Sequence, residues 1–211
     1  MQYKNRKCRN KYINTFIAVC VFFAFFNNSY VVAMEFPNTF DDTSINKKII
    51  EYNITEAEAI ELGMYLQEFL SSYQYAEISQ SKDDDYNAIY YYKKSLDLFN
   101  KLISLRAYSI LYSDKTTTLV PATYGLLYYN LGTTYFWIKD FRSALQYLEQ
   151  AEKYKQYLTT TQQYYLYSRI CLSHYALGNV DASLDNAIKA KYLCQTTEQC
   201  RVTNNFINSI K

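Results

Sequence analysis

The chain has 211 residues, a formal charge of +2, 4 Gly, 2 Pro and 18% aromatic residues, among them 25 Tyr. So little Gly and Pro leaves too few turn formers for a β-sandwich or barrel, and no Gly-rich phosphate turn for a dinucleotide or P-loop fold.

Residues 1–33 read as a secretory signal peptide. Lys4, Arg6, Lys7, Arg9 and Lys11 precede the apolar run Ile17–Phe26, and the first acidic residue is Glu35. Ten apolar residues are too few for a spanning helix, which needs about 20; they match the hydrophobic stretch of a secretory signal behind its basic head. Val31-Val32-Ala33 is the expected cleavage site, leaving Met34 first. An uncleaved signal anchor over Ile13–Met34 is the alternative, and either way the rest of the chain crosses the membrane. Cys20 invites a lipoprotein reading, but Val19 is too large for the position before it.

Without the leader, 17 basic residues face 20 acidic ones, a net charge of −3. That argues against nucleic acid and anionic membrane as partners, since both need a clustered basic surface. Membrane contact is then confined to the N-terminal segment, if it stays uncleaved. The expected location is periplasmic, secreted or a secretory lumen, or membrane-anchored with the domain on the non-cytoplasmic side.

Residues 34–54 form a polar linker and 55–211 an all-α domain. Thr55 with Glu58 makes a capping box that starts the first helix; Ala59, Leu62, Leu66, Phe69 or Leu70, Tyr73 and Ala76 follow at helical spacing. Asp83–Asp85 suit the N-terminus of a second helix, Asp84 to Ser109, better than a metal site. A loop over Ser113–Thr118 precedes a third helix with Pro121 in its first turn, ending at Ile138. Asp140 caps a fourth helix that reaches Tyr157. Thr160 with Gln163 starts a fifth, Gly178-Asn179 divides it from a sixth, and Thr196 with Gln199 starts the last. In that last helix Val202, Phe206, Ile207 and Ile210 form one apolar stripe.

The chain also aligns with itself at an offset of 39 residues: Tyr128 on Tyr167, Leu131 on Ile170, Gly132 on Cys171, Phe141 on Val180, Ala144 on Ser183, Leu145 on Leu184 and Ala151 on Ala190. The string LLYYNLGTTYFWIKDFRSALQYLEQA, with its Leu131-Gly132, Tyr135 and Ala144, resembles the tetratricopeptide repeat. A looser copy lies upstream at Ala88, Tyr92 and Ser95, whose preceding helix lacks the Leu-Gly pair. The resemblance implies antiparallel hairpins at about 55–112, 119–158 and 161–194, stacked as a right-handed superhelix and closed by a cap at 197–210.

The family's concave face implies partner-binding positions at Leu126, Tyr129, Asn130, Thr133, Phe136 and Trp137. In the next hairpin they are Tyr165, Arg169, Leu172 and Tyr175. Such a face binds a protein or peptide partner, so the expected function is that of an exported adaptor or scaffold and not of an enzyme. The alternative is a non-repeat helical bundle that binds a small ligand or carries hydrolase activity. Asn130 and Arg169 fall where some family members clamp a carboxylate, but Tyr165 replaces the clamp's Lys.

No catalytic, cofactor or metal set stands out. His174 is the single histidine, and the three cysteines beyond the leader make no Cys-x-x-Cys pair. In an oxidising compartment Cys194 and Cys200 are expected to form a disulfide; Cys171–Cys200 is the other pairing. Asn53-Ile54-Thr55 is a glycosylation sequon if the host is a eukaryote.

Overall fold

The computed structural model describes residues 51–111 and 116–210. The expected signal peptide, positions 34–50 of the linker, position 112 and the 113–115 part of the expected loop lie outside them. The described residues form eight α-helices and no strand: α1 Glu56–Ser81, α2 Asp85–Ser104, α3 Arg106–Leu111, α4 Thr116–Trp137, α5 Phe141–Glu152, α6 Thr160–Ala176, α7 Val180–Leu193 and α8 Thr197–Ile210. A 3₁₀ turn at Lys155–Tyr157 follows α5. The all-α expectation is met.

Three turns repeat one geometry. The α1–α2, α4–α5 and α6–α7 connections are three residues each, with a left-handed middle residue: Asp83 at φ 58°, Lys139 at 64° and Gly178 at 80°. In each, the N–H of that residue donates to the carbonyl three back, at Gln80, Phe136 and Tyr175. The next N–H donates to the carbonyl five back, at Ser79, Tyr135 and His174. This pair of bonds satisfies carbonyls that the ending helix leaves open. The residue that closes each turn, Asp84, Asp140 or Asn179, also opens the following helix through its carbonyl, which accepts from Ala88, Ala144 and Ser183. Asp84 and Asp140 add a side-chain cap on Asn87 N and Ser143 N.

Small residues sit at matching places around these turns. Ala88, Ala144 and Ser183 are buried, as are Ser95, Ala151 and Ala190 seven residues on. Twelve residues before the first set lie Ala76, Gly132 and Cys171, all buried too. Ala76 thus stands in α1, buried, at the position that Gly132 has in α4. Small side chains let neighbouring helix backbones come close. The need is plainest at Gly132, where an added Cβ would lie 2.6 Å from Leu148 Cγ and 2.9 Å from Leu148 N.

The chain divides into two compact units. Unit 1 takes residues up to Ser71 together with Asp97–Leu119; unit 2 takes Ser72–Leu96 and Val120–Lys211. In unit 1, Leu62, Leu66 and Phe69 of α1, Leu98, Phe99 and Leu102 of α2, and Ala107 and Tyr108 of α3 are buried. The Phe69 and Phe99 rings lie 5.4 Å apart. Arg106 at the start of α3 pairs with Glu58 at 2.9 Å and donates to the Tyr52 carbonyl at 2.8 Å.

In unit 2 neighbouring helices pack in sequence. The pairs Tyr135–Tyr147, Gly132–Leu148 and Tyr128–Tyr154 run α4 antiparallel to α5. α5 packs on α6, α6 on α7 and α7 on α8. Three further contacts join helices that are not consecutive. Asn130 of α4 reaches Tyr73 of α1 at 2.9 Å, and Arg169 of α6 reaches Tyr129 of α4 at 2.8 Å. Tyr164 of α6 reaches Thr203 of α8 at 3.2 Å.

Several boundaries differ from the expected ones, each for a local reason. The second helix breaks at Leu105, where Leu105 N donates to Leu102 three residues back and Ser104 Oγ donates to the Lys101 carbonyl. Pro121 lies inside α4, not in its first turn, so the carbonyl four residues before it loses a helical donor. α5 stops at Glu152 instead of Tyr157, and Tyr154 folds over Gly125, where an added Cβ would lie 2.9 Å from its own. The capping box of α6 is Thr159 with Gln162, one residue earlier than expected, next to buried Leu158. In α8, Val202 is exposed and Thr203 takes its place on the buried stripe. The Thr55–Glu58 and Thr196–Gln199 caps form as expected.

Candidate functional site

α4 contains no Asp, Glu, Lys or Arg, and α6 contains one, Arg169. Both helices are nevertheless partly open to solvent. Trp137 is 56% exposed, Tyr175 50%, and Tyr165 and Leu172 41% each. Large apolar side chains left open on helices with one formal charge make the most distinctive surface of unit 2.

Arg169 organises this surface. Its guanidinium carbon lies 5.4 Å from the ring centre of Tyr129, 5.7 Å from Trp137 and 5.2 Å from Tyr165. Its Nη1 donates to the Tyr129 hydroxyl at 2.8 Å. A cation among three aromatic rings is held by their electron-rich faces, each contributing about 0.5–2 kcal/mol. One of five N–H donors is committed to Tyr129, so the group keeps capacity for an acceptor.

Four of the ten residues expected to bind a partner, Tyr129, Trp137, Tyr165 and Arg169, are therefore assembled into one cluster. Leu172 and Tyr175 continue the exposed surface along α6, and the Tyr175 ring meets Phe206 of α8 edge-on at 5.4 Å. Phe136 is half-buried between Trp137 and Phe141. Leu126 is half-buried. Thr133 departs from the expected role: it is buried beneath the surface, because its place on α4 turns toward the interior. Asn130 donates to Tyr73 within the fold, and Tyr165 stands where the clamp has its Lys, so the carboxylate-binding set is incomplete.

Beneath α4 lies a polar network that the sequence did not single out. Tyr73 hydrogen-bonds Glu77 and accepts from Asn130. Tyr92 donates to Gln80 at 3.1 Å, Gln80 to Thr134 at 3.3 Å, and Thr134 to the Asn130 carbonyl at 2.8 Å. Burial raises the carboxyl pKa of Glu77 and, more strongly, the phenol pKa of Tyr73. The spacing of Tyr73, Glu77 and Gln80, four and three apart on one helical face, was the available signal.

Five of the 25 tyrosines form a seam along α4, α5 and the turn after α5. Tyr124, Tyr128 and Tyr154 stack on one another, Tyr128 on Tyr147, and Tyr147 on Tyr135 at 5.4 Å and 4°. Lys93 lies over the Tyr135 ring at 5.3 Å. Further along, Tyr167 sits under Lys155 and Lys189, its phenol pushed up to about 12 by burial and by the charge of Glu152.

The disulfide is Cys194–Cys200, so Cys171 stays free and buried. This bond is compatible with an oxidising export compartment. Among the described residues no helix is long and apolar enough to cross a membrane, and no group of three or more His, Cys, Asp or Glu is placed to hold a metal ion. No family model, curated protein or solved structure matches the chain.

Proposed function

We propose that the chain is an exported adaptor, organised like a tetratricopeptide-repeat stack, that holds a segment of a partner polypeptide on the α4–α6 face. The observation that carries this reading is the cluster of Trp137, Tyr165, Leu172 and Tyr175, exposed around the single charge of Arg169. Aromatic and Arg side chains in such a setting are the usual anchors of protein interfaces. Supporting the repeat organisation are the three matching turns, the small residues twelve and seven apart, and the contacts that link α1, α4, α6 and α8 in order. The disulfide fits export through the N-terminal segment.

A photo-crosslinking amino acid placed at Trp137 or Leu172 should capture a defined partner in the native cell. The same group at Gln146, exposed on α5, is the control. Trp137→Ala combined with Tyr165→Ala should abolish the capture while the circular dichroism spectrum stays unchanged. Equal capture from Gln146, or capture that survives the double substitution, would remove this face from consideration.

A further inference from the structure

α8 is held loosely for a helix that covers core residues. Of its 14 residues only Thr203 and Ile207 are buried. Ile207, with partly buried Phe206, covers a cluster made by Cys171 of α6 and Ala187 of α7. The Tyr164 hydroxyl adds one link, to the Gln199 carbonyl at 3.3 Å and the Thr203 hydroxyl at 3.2 Å. The ion pair of Arg201 with Glu198 lies within α8 and does not tie it to another helix. A helix of this length is marginal in water without packing. The covalent attachment to α7 is Cys194–Cys200, closing a separation of six residues.

Cys171 lies directly under this helix. It is 3% exposed, its Sγ is 3.5 Å from the Ser183 hydroxyl, and that hydroxyl donates to the Cys171 carbonyl. Burial raises its thiol pKa, so while covered it is inert as a nucleophile.

We propose that the Cys194–Cys200 disulfide is a redox-operated latch on α8 and that Cys171 is the thiol it conceals. A dithiol reductant transfers two electrons and two protons: the sulfur–sulfur bond of Cys194–Cys200 breaks, both leave as thiols, and the reductant closes its own disulfide. α8 then opens locally while α4–α7 remain folded. Cys171 loses its proton to solvent and attacks electrophiles, including low-molecular-weight disulfides. In that reaction a bond forms from Cys171 Sγ to one sulfur and the other sulfur leaves as thiolate.

The test uses the full exported chain with and without dithiothreitol, followed by hydrogen exchange and by N-ethylmaleimide labelling mapped to peptides. Reduction should speed exchange in 197–210 and labelling of Cys171 by at least about tenfold, with the exchange of α4 and α5 unchanged. The Cys194→Ser/Cys200→Ser double variant should reproduce both changes without reductant. If Cys171 stays unlabelled and α8 protected after reduction, there is no latch. If α4 and α5 open together with α8, the disulfide holds the whole fold and the local mechanism is wrong.

Discussion

Gly132 and Gly178 lack side chains for opposite reasons. At Gly132 space is missing, since a Cβ would press on the backbone of Leu148; at Gly178 space is open but φ is +80°. Gly132→Ala should therefore cost about 2 kcal/mol through overpacking, and Gly178→Ala about 1 kcal/mol through left-handed strain. Urea unfolding of both variants measures the difference, and an equal or reversed cost would count against this account.

Glu77 offers a test by pH. Burial outweighs its hydrogen bond with Tyr73, so the folded chain holds the carboxyl proton more tightly than the unfolded chain. For an acid with a raised folded pKa, stability is highest in acid. It falls as pH rises from the ordinary glutamate value through the folded one. Glu77→Gln should thus melt higher than the parent at about pH 7 and lose that advantage toward about pH 4. An advantage that grew in acid would contradict the burial argument.

At the scale of elements, caps and turns were the parts most open to reading from the sequence. Thr55, Asp140 and Thr196 act through short-range hydrogen bonds whose partners lie three residues away. Asp140→Ala should cost about 1 kcal/mol in chemical denaturation. The hydrogen bonds from Ser143 hold the Asp140 carboxyl below its ordinary range. Its contribution is therefore full above the unfolded pKa and disappears as pH falls through the folded one.

What the sequence could not convey depends on rotamers and on competition. Thr159 with Gln162 and Thr160 with Gln163 offer equivalent capping boxes by sequence, and the one that forms is the first, next to buried Leu158. The break at Leu105 has no Gly or Pro beside it to announce it. Repeat spacing could mark Tyr129, Tyr165 and Arg169 as neighbours on one face. It could not show that their side chains close on one another, nor that Thr133 turns inward.

At the scale of the whole chain, the expected cleavage after Ala33 would remove five basic residues and change the sign of the net charge. The exported protein should begin at Met34, which intact-mass measurement on material from the native host would show. A retained leader would favour the anchored form.

The three matching turns have a consequence for how this chain can change length. Asp140 ends one hairpin turn as Asn179 ends the next, with the same bonds before and after. The 39 residues from Phe141 to Asn179 are therefore a cassette whose outgoing end matches its incoming one. An internal duplication of that cassette should produce a soluble, longer protein with a proportional gain in helical signal.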